Sequence, residues 1–358
     1  MKSYQSWRDT IDRKPGCRIP RYASYTPDLL GRILKHTGCG NGGELNEHFD
    51  VDALGYVGIP RPATLPALDY SRYYQGRNLP PGATFNGDGV CSIPAGFYHF
   101  TGFVHPLVAA QTVADIEAYP LDDPSTWPTA GMKETVDDLH AKGYFVTGGV
   151  GHTYETAWQI RGYEEFLEDL MLRPALAECL LERLTQRNCV KARESARAGA
   201  DILHFGDDVA SQRALMFAPE LWRRLFRPRL ARAIAAGRSQ NPKIEIWYHS
   251  DGNVMEIIPD LIEIGVTVLN PVQPECMDPV AIQRRFGRHL VLDGTIGTQS
   301  VMPFGSAADV DRTVAEMIRT CGQTGGLILS PTHVLEPEVP LANIEAFFAA
   351  CAKYGNGR

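Results

Sequence analysis

The sequence is short of the features that mark several large classes of protein. Its eight cysteines include no CxxC pair, which argues against a disulfide framework and against a four-cysteine zinc site. No run approaches the ~18 apolar residues that a membrane-spanning helix needs. The opening residues MKSYQSWRDTIDRKPG lack the apolar core of a secretory signal, so we expect a cytoplasmic protein.

Positive charge is also scarce. The 358 residues include 35 Lys and Arg against 42 Asp and Glu, which gives a formal net charge of −7. Binding to nucleic acid or to anionic lipid depends on a basic face. We therefore expect neither a nucleic-acid partner nor a membrane partner, and the composition favours a small-molecule substrate.

What the sequence does contain is an alternation of short β-branched runs with longer amphipathic stretches over its C-terminal two thirds. This alternation predicts parallel βαβ units. Because no Gly-rich dinucleotide fingerprint follows a predicted strand, a single (β/α)8 TIM barrel is favoured over an open sheet. The predicted strands are Phe145–Val150, Ile202–Gly206, Glu245–His249, Val266–Pro271, Leu290–Gly294 and Leu327–Pro331. Helices are predicted near residues 163–173, 177–198, 219–237, 254–264, 278–286, 307–322 and 341–354.

Residues 1–140 are of a different kind, rich in Pro, Gly and aromatic side chains. They predict one strand near Ile19–Tyr25, a hairpin around residues 84–103, and long loops that cover one mouth of the barrel. No linker strong enough to divide the chain is present. We therefore expect one domain over residues 1–358, in which residues 141–358 form regular βα units.

Polar side chains follow nearly every predicted strand. The active site of a barrel lies at these strand ends, and a hydrophobic core has no use for unpaired polar groups. Their concentration therefore indicates an enzyme. The candidates are His152, Tyr154, Glu155, Asp207, Asp208, His249, Asp251, Asn270, Gln273, Glu275, Asp293, Gln299, His333 and Glu336.

The pair His249-x-Asp251 is the most specific of these patterns. Residues two apart in an extended chain point to the same side, so both side chains can reach one point in the barrel mouth. A third ligand such as His333 would complete a catalytic zinc site with one open position. Such pairs also occur where the Asp only orients a His or caps a turn, and the spacing alone leaves both interpretations open.

Other candidates carry similar alternatives. Asp207 and Asp208 could serve as a general acid or base or as metal ligands, or one of them could cap a helix or pair with Arg213. Glu155 could line the substrate pocket or cap the helix that begins beside it. Cys276 could be a soft metal ligand or an inert thiol.

Three segments resemble the uroporphyrinogen decarboxylase superfamily. IEIWYHSDGNVMEIIPDLIEIGVTVLNPVQPECMDP is similar to that superfamily's H-x-C-G-N segment and the IPDLIEIGVDxLNPxQ run that follows it. LVLDGTIGTQSVMPFGSAADV and GGLILSPTHVLEPEVPLANIEAFFAA resemble its next and closing segments. The resemblance covers residues 145–354 and implies a (β/α)8 barrel.

One branch of the superfamily consists of zinc-dependent methyltransferases that work with a corrinoid protein. By position, the resemblance assigns their zinc ligands to His249, Asp251 and His333, with Asp and His in place of two cysteines. This harder donor set implies release of a methyl group from an O-methylated substrate, with Asp208 or Glu275 as a fourth ligand or proton donor. The resemblance also implies a homodimer as an assembly to test. Residues expected to contact the substrate are Tyr154, Glu155, Asn270 and Gln273.

The alternative is a metal-free decarboxylase-like lyase acting on a porphyrinogen or another carboxylated substrate. In that branch, arginines of an N-terminal R-Q-A-G-R-Y segment bind the carboxylates, whereas this chain has RKPGCRIPRY and no F-S-D segment. Arg13, Arg18 and Arg21 would take the arginines' place, and Asp208 and His333 would stabilise charge on the substrate. A catalytically silent member that binds a ligand in the same mouth is a third interpretation.

Overall fold

The computed structural model describes residues 2–94 and 101–357. The strands are β1 (Leu54–Val57), β2 (Thr84–Phe85), β3 (Cys91–Pro94), β4 (Thr101–Val104), β5 (Phe145–His152), β6 (Ile202–Gly206), β7 (Glu245–His249), β8 (Val268–Asn270) and β9 (Val291–Leu292). The helices are α1 (Lys2–Ile11), α2 (Pro27–Thr37), α3 (Gly42–His48), α4 (Val113–Glu117), α5 (Met132–Ala141), α6 (Tyr154–Arg161), α7 (Tyr163–Leu172), α8 (Pro174–Ala198), α9 (Pro219–Leu225), α10 (Arg227–Arg238), α11 (Ile258–Ile264), α12 (Pro279–Phe286), α13 (Val301–Phe304), α14 (Ala307–Cys321) and α15 (Leu341–Gly355).

The parallel strands close into a barrel. Strands β1, β5, β6, β7, β8 and β9 pair in that order, each parallel to its neighbour. Beyond β9, the segment 327–331 bonds to Leu292, and the segment 20–25 bonds in turn to Leu329. A hydrogen bond from the Asp52 amide to the Arg21 carbonyl returns the sheet to the residues before β1. Eight extended segments thus form the predicted (β/α)8 barrel.

The lower end of the barrel, where the strands begin, is filled by apolar side chains. Helix α1 places Trp7 there, fully buried, with its indole donating to the Asp52 carbonyl at 2.9 Å. The Trp7 ring stacks on Phe145 and contacts Trp247, with ring centroids 6.0 and 5.8 Å apart. The side chains around Trp7 come from all eight extended segments: Tyr22, Leu54, Phe145, Ile202, Trp247, Val268, Val291 and Ile328.

The predicted βα units of the C-terminal region are confirmed, with corrections. The predicted strand Leu327–Pro331 pairs only through isolated bridges, and the helix predicted over 254–264 begins at Ile258, after a 3-10 turn. The single helix predicted over 219–237 is two helices, α9 and α10, which meet at Phe226. Pro228 explains the break, because it has no backbone N–H to continue the hydrogen-bond ladder. In the N-terminal region, strand β1 and helices α1 to α5 were not predicted, since each is short or lies among Pro and Gly residues.

The predicted hairpin is part of a small antiparallel sheet of order β2-β3-β4, and its residues 95–100 lie outside the described part of the chain. Residues from the loops after β1 and before α5, such as Ile59 and Trp127, reach the upper mouth of the barrel. Among the described helices, none combines the length and apolarity needed to cross a bilayer.

Candidate active site

His249 is the best-oriented side chain at the upper end of the barrel. It ends β7, and its Nδ1 lies 2.6 Å from Oδ1 of Asn270, at the end of the neighbouring strand β8. An amide oxygen only accepts hydrogen bonds, so Nδ1 donates and Nε2 of the neutral ring keeps its lone pair. Such a hydrogen bond at the far nitrogen is the usual way in which a protein orients a metal-binding histidine.

A buried carboxylate holds Asn270 in turn. The amide nitrogen of Asn270 donates to Oδ2 of Asp293 at 2.7 Å. Asp293 is fully buried and also accepts from the Tyr22 hydroxyl and the Ser330 hydroxyl, both at 2.8 Å. Burial raises the pKa of Asp293 to about 6, although these donors oppose the shift. Groups from neighbouring barrel segments therefore fix the His249 ring.

Two carboxylates meet the free face of His249. Oδ1 of Asp208 lies 3.6 Å from Nε2 of His249 and accepts from the backbone amide of Asp251 at 2.9 Å. One ligand atom from each of Asp208, His249 and Asp251 lies within 4.8 Å of the other two. Imidazole and carboxylate groups are ordinary ligands of zinc, and these three are close enough to share one ion.

The predicted third ligand, His333, lies beside this group. Its Nε2 is 3.8 Å from Oδ2 of Asp251, and its ring centroid is 6.5 Å from that of His249. The three predicted ligands are therefore neighbours, and Asp208 joins them. Cys276 is not part of the cluster, and its burial, together with Glu275 and Asp251, raises the pKa of its thiol to about 11.

Asp207, unlike Asp208, has a structural partner. It is buried, and its Oδ1 accepts from the backbone amides of Thr153 and Glu155 at 2.8 and 3.1 Å, so it caps the start of α6 from the end of the neighbouring strand. Burial raises the pKa of Asp207 to about 6. The same turn brings Nδ1 of His152 to 2.5 Å from Oε2 of Glu155. Burial lowers the pKa of His152, but the Glu155 carboxylate outweighs it and the result is about 8.

The remaining predicted residues divide between the mouth and its supports. Gln273 lines the mouth beside His333, and its Oε1 accepts from the Gly252 amide at 3.4 Å. Glu275 accepts from the Ser300 hydroxyl at 2.6 Å and so secures the loop after β9.

Tyr154 is only 1% exposed, and its ring packs in an aromatic cluster, which does not support the predicted contact with substrate. Its neighbours are Phe166, Phe217 and Phe226.

Two cavities flank the His249 cluster. The first, of about 430 Å³, lies over β5 and β6 and extends to α8. The second, of about 370 Å³, lies over the segment after β9 and the loop at residues 333–338. Both volumes are in the range of small-molecule sites.

The family model described as uroporphyrinogen decarboxylase (URO-D) matches residues 102–354, well over half of the chain. The chain belongs to the uroporphyrinogen decarboxylase family. The family's segments thus include both the barrel strands β5 to β9 and every candidate ligand.

Individual relatives of this family member are methyltransferases by name. The methylcobamide:CoM methyltransferase MtaA of Methanosarcina barkeri is 25% identical over 210 residues, which is 58% of this chain and 58% of that protein. The alignment thus spans less than two thirds of the relative. A solved methyltransferase from Methanosarcina mazei superposes with a TM-score of 0.67 and 17% identity, over 98% of both chains. This match confirms the fold.

The N-terminal arginines of this family member lie at the wrong end of the barrel for the decarboxylase-like alternative. Arg18 and Arg21 lie at the beginning of the extended segment 20–25, and both pair with Asp50. Arg18 also pairs with Asp52 at 2.9 Å. Arg13 donates to the carbonyl of Gly287, at the end of α12. The prediction that these arginines bind substrate carboxylates in the mouth is therefore wrong, because backbone and carboxylate partners hold them near the strand beginnings.

One residue of the site was missed from the sequence. His204 points into the barrel from the middle of β6, with its ring centroid 6.3 Å from that of His249 and 5.2 Å from that of Trp247. Burial, with help from His249 and His152, lowers its pKa to about 4, so it is neutral. The available signal is its spacing, since His204 is two residues from the inward-facing Ile202, but its position in the middle of a strand sets it apart from the candidates at the strand ends.

Proposed function

We propose that this protein is a methyltransferase that moves a methyl group between a small O-methylated substrate and a corrinoid carried by a separate protein. The observation that carries the proposal is the cluster of His249, Asp208 and Asp251 at the barrel mouth, with His333 beside it. The family and the names of the two methyltransferase relatives support the same reaction class.

The cluster fits a divalent metal such as zinc. His249 presents Nε2 because Asn270 occupies Nδ1, and the carboxylates supply the negative charge that a dication needs. Asp208, His249 and Asp251 would hold the ion, with His333 as the fourth candidate. When bound, the ion would act as a Lewis acid toward the oxygen that carries the methyl group.

The donor set favours departure of an oxygen leaving group. The described cluster has no cysteine, and thiolates are the ligands that favour activation of a thiol acceptor. Imidazole and carboxylate leave a harder ion, which suits a methoxy oxygen. Transfer of the methyl group to the reduced corrinoid breaks the carbon–oxygen bond and leaves an alkoxide or phenoxide, which must gain a proton.

His152 is the side chain best suited to supply that proton. It lines the first cavity, and its pKa of about 8 keeps it largely protonated at neutral pH. A general acid works best when its pKa lies near the pH of the reaction. Glu275, which was predicted as an alternative proton donor, is engaged by Ser300 and Gln299.

The first test is the metal content of the protein purified without a polyhistidine tag. We expect about one zinc per chain in the wild type, loss of that zinc in His249→Ala, and retention in His36→Ala. His36 is a matched control, because it is exposed and pairs with Glu345 away from the mouth. Absence of metal from the wild type after incubation with zinc would overturn the metal-dependent mechanism.

The second test is methyl transfer itself. Methoxylated compounds would be incubated anaerobically with the enzyme and reduced cobalamin, and formation of methylcobalamin would be followed by visible absorbance. We expect activity in the wild type and in His36→Ala and none in His249→Ala. Activity that is equal in all three proteins would contradict the assignment of the site.

A further inference from the structure

We infer that the first cavity is built for an anionic substrate, and that Lys191 binds a carboxylate on the methyl donor. The inference rests on the proposed function only in calling that ligand the methyl donor. The cavity lies beside the metal-binding cluster, because His204 forms part of its wall and stands next to His249. A ligand in this cavity can therefore extend toward the cluster.

The charge of the cavity is one-sided. Arg187 and Lys191 are one turn apart on the same face of α8, and His152 lines the same cavity from the end of β5. No carboxylate lines this cavity within the described part of the chain. Arg187 is compensated by Asp88, and His152 lies 2.5 Å from Glu155, so Lys191 is the cationic side chain of this wall whose charge can attract an anion.

Lys191 lacks the counter-charge that its neighbour has. Arg187 pairs with Asp88 at 2.6 Å, whereas Lys191 makes no ion pair with any described carboxylate. Lys191 is half-buried, and burial together with Arg187 lowers the pKa of its ammonium group, whereas the more distant Asp88 carboxylate opposes the shift. A substrate carboxylate beside Nζ would supply the missing negative charge and would accept a charge-assisted hydrogen bond from the ammonium group.

Glycines make room for this arrangement. A Cβ on Gly151 would lie 3.7 Å from Nζ of Lys191, and the φ of +115° there disfavours any side chain. A Cβ on Gly206 would come within 2.5 Å of Nε2 of His152, and one on Gly149 within 2.7 Å of the Tyr56 hydroxyl. Because these positions carry no side chain, space remains beside Nζ of Lys191, Nε2 of His152 and the Tyr56 hydroxyl.

The second cavity has the opposite character. Asp251, Glu336 and Glu338 line it, with His333 as its basic member. These carboxylates repel an anionic substrate, which is therefore expected in the first cavity, beside Lys191. The first cavity also carries the rings of Tyr56 and Trp127, which can contact an apolar body between the carboxylate and the methoxy group.

The test compares acids with their neutral amides of nearly equal size: methoxyacetate with methoxyacetamide, and 4-methoxybenzoate with 4-methoxybenzamide. Binding is measured by calorimetry on the metal-free protein and again with zinc, since a carboxylate can also bind the ion. The variants are Lys191→Met, which keeps the length of the stem, and Lys191→Arg, which keeps the charge. Lys133→Met is the control, because Lys133 is an exposed lysine paired with Asp137 on α5.

In the wild type and in Lys133→Met we expect the acid of at least one pair to bind tenfold or more tightly than its amide. The preference should vanish in Lys191→Met and persist in part in Lys191→Arg. Equal binding of acid and amide, no binding of either acid, or an unchanged preference in Lys191→Met would overturn the inference. If Lys191→Met does not fold, the wild-type preference and Lys191→Arg decide it.

The same compounds separate this inference from the proposed function. Preference for an acid without methyl transfer would remove the methyltransferase and leave an anion site. Methyl transfer at equal rates from acid and amide would keep the methyltransferase and remove the role of Lys191.

Discussion

The two ends of the barrel use the same strands for opposite purposes. Strand β7 contributes Trp247 to the apolar cluster around Trp7, and two residues later it ends in His249, among carboxylates. Strand β6 similarly begins with the buried Ile202 and ends beside Asp207 and Asp208. The lower end is therefore closed by hydrophobic packing, and the upper end holds polar groups that burial alone would disfavour.

This difference teaches where stability and function reside. Burial of each apolar side chain at the lower end stabilises the folded state. A buried polar group such as Asp293 is tolerated because three hydrogen-bond donors surround it. Substitutions at the lower end should change the free energy of unfolding most. Substitutions at the upper end should change metal or ligand binding more than stability.

The largest expected effect is at the lower end. We expect Trp7→Ala to lower the free energy of unfolding by about 3–5 kcal/mol, because it leaves a cavity where eight segments converge. Chemical denaturation measures this change. Phe304→Ala is the control at the upper end: its ring is 77% exposed, so we expect a change within about 0.5 kcal/mol. Comparable losses in the two variants would break the contrast between the ends.

The next effect is on metal binding. Asn270→Leu removes the acceptor that orients His249 and takes a donor from Asp293. We expect zinc affinity to fall by about 10- to 100-fold, as measured by competition with a chelator. The exposed Gln240→Leu should leave the affinity unchanged. An unaltered affinity in Asn270→Leu would show that the ring needs no such support.

The third effect concerns pH. Because the pKa of Asp293 is about 6 in the folded state and near 3.8 in the unfolded chain, the folded state binds the extra proton between these values. Stability from this group is therefore complete below pH 3.8 and is lost as pH rises to 6, with a slope of at most about 1.4 kcal/mol per pH unit. Asp293→Asn should remove that contribution, which urea unfolding at pH 4, 5, 6 and 7 would detect. Parallel pH profiles for the two proteins would contradict it.

The smallest effect is expected at a polar residue of the upper end that serves only structure. Oδ1 of Asp278 accepts from the amides of Val280 and Ala281, so it caps α12. We expect Asp278→Ala to cost about 1 kcal/mol of stability and to leave zinc content and methyl transfer unchanged. Thermal unfolding and the two functional assays check this. A loss of zinc would place Asp278 with the site.

Much of the barrel was predictable because its signals are local. Asp278 and Pro279 mark the start of α12, as predicted, because an N-cap and a first-turn proline depend only on adjacent residues. Strand β1 was not predicted, because its four residues LGYV are too short to show alternation. The break before α10 follows from Pro228, but the apolar periodicity on both sides concealed it.

The sequence predicted which residues form the candidate site, but not the role of each residue. The placement of His249 and Asp251 at one strand end follows from the period of an extended chain. The roles of Asp207 and Asp208 could not be separated, since adjacent residues point in different directions and only the fold decides which one meets an amide. Tyr154 lies next to polar residues in sequence, yet its ring packs in the core.

The sequence by itself determined the alternation of strands and helices, the caps, the scarcity of thiols and the family, because each depends on residue type and local spacing. Only the tertiary structure decided that Asp208 joins His249, and that Asn270 and Asp293 hold the imidazole. It also decided that Lys191 forms no ion pair with a described carboxylate, and that Arg18 and Arg21 pair with Asp50 and Asp52. These outcomes depend on residues 21 to 43 positions apart in the chain, and the pairing of neighbouring barrel segments brings such residues within a few ångströms.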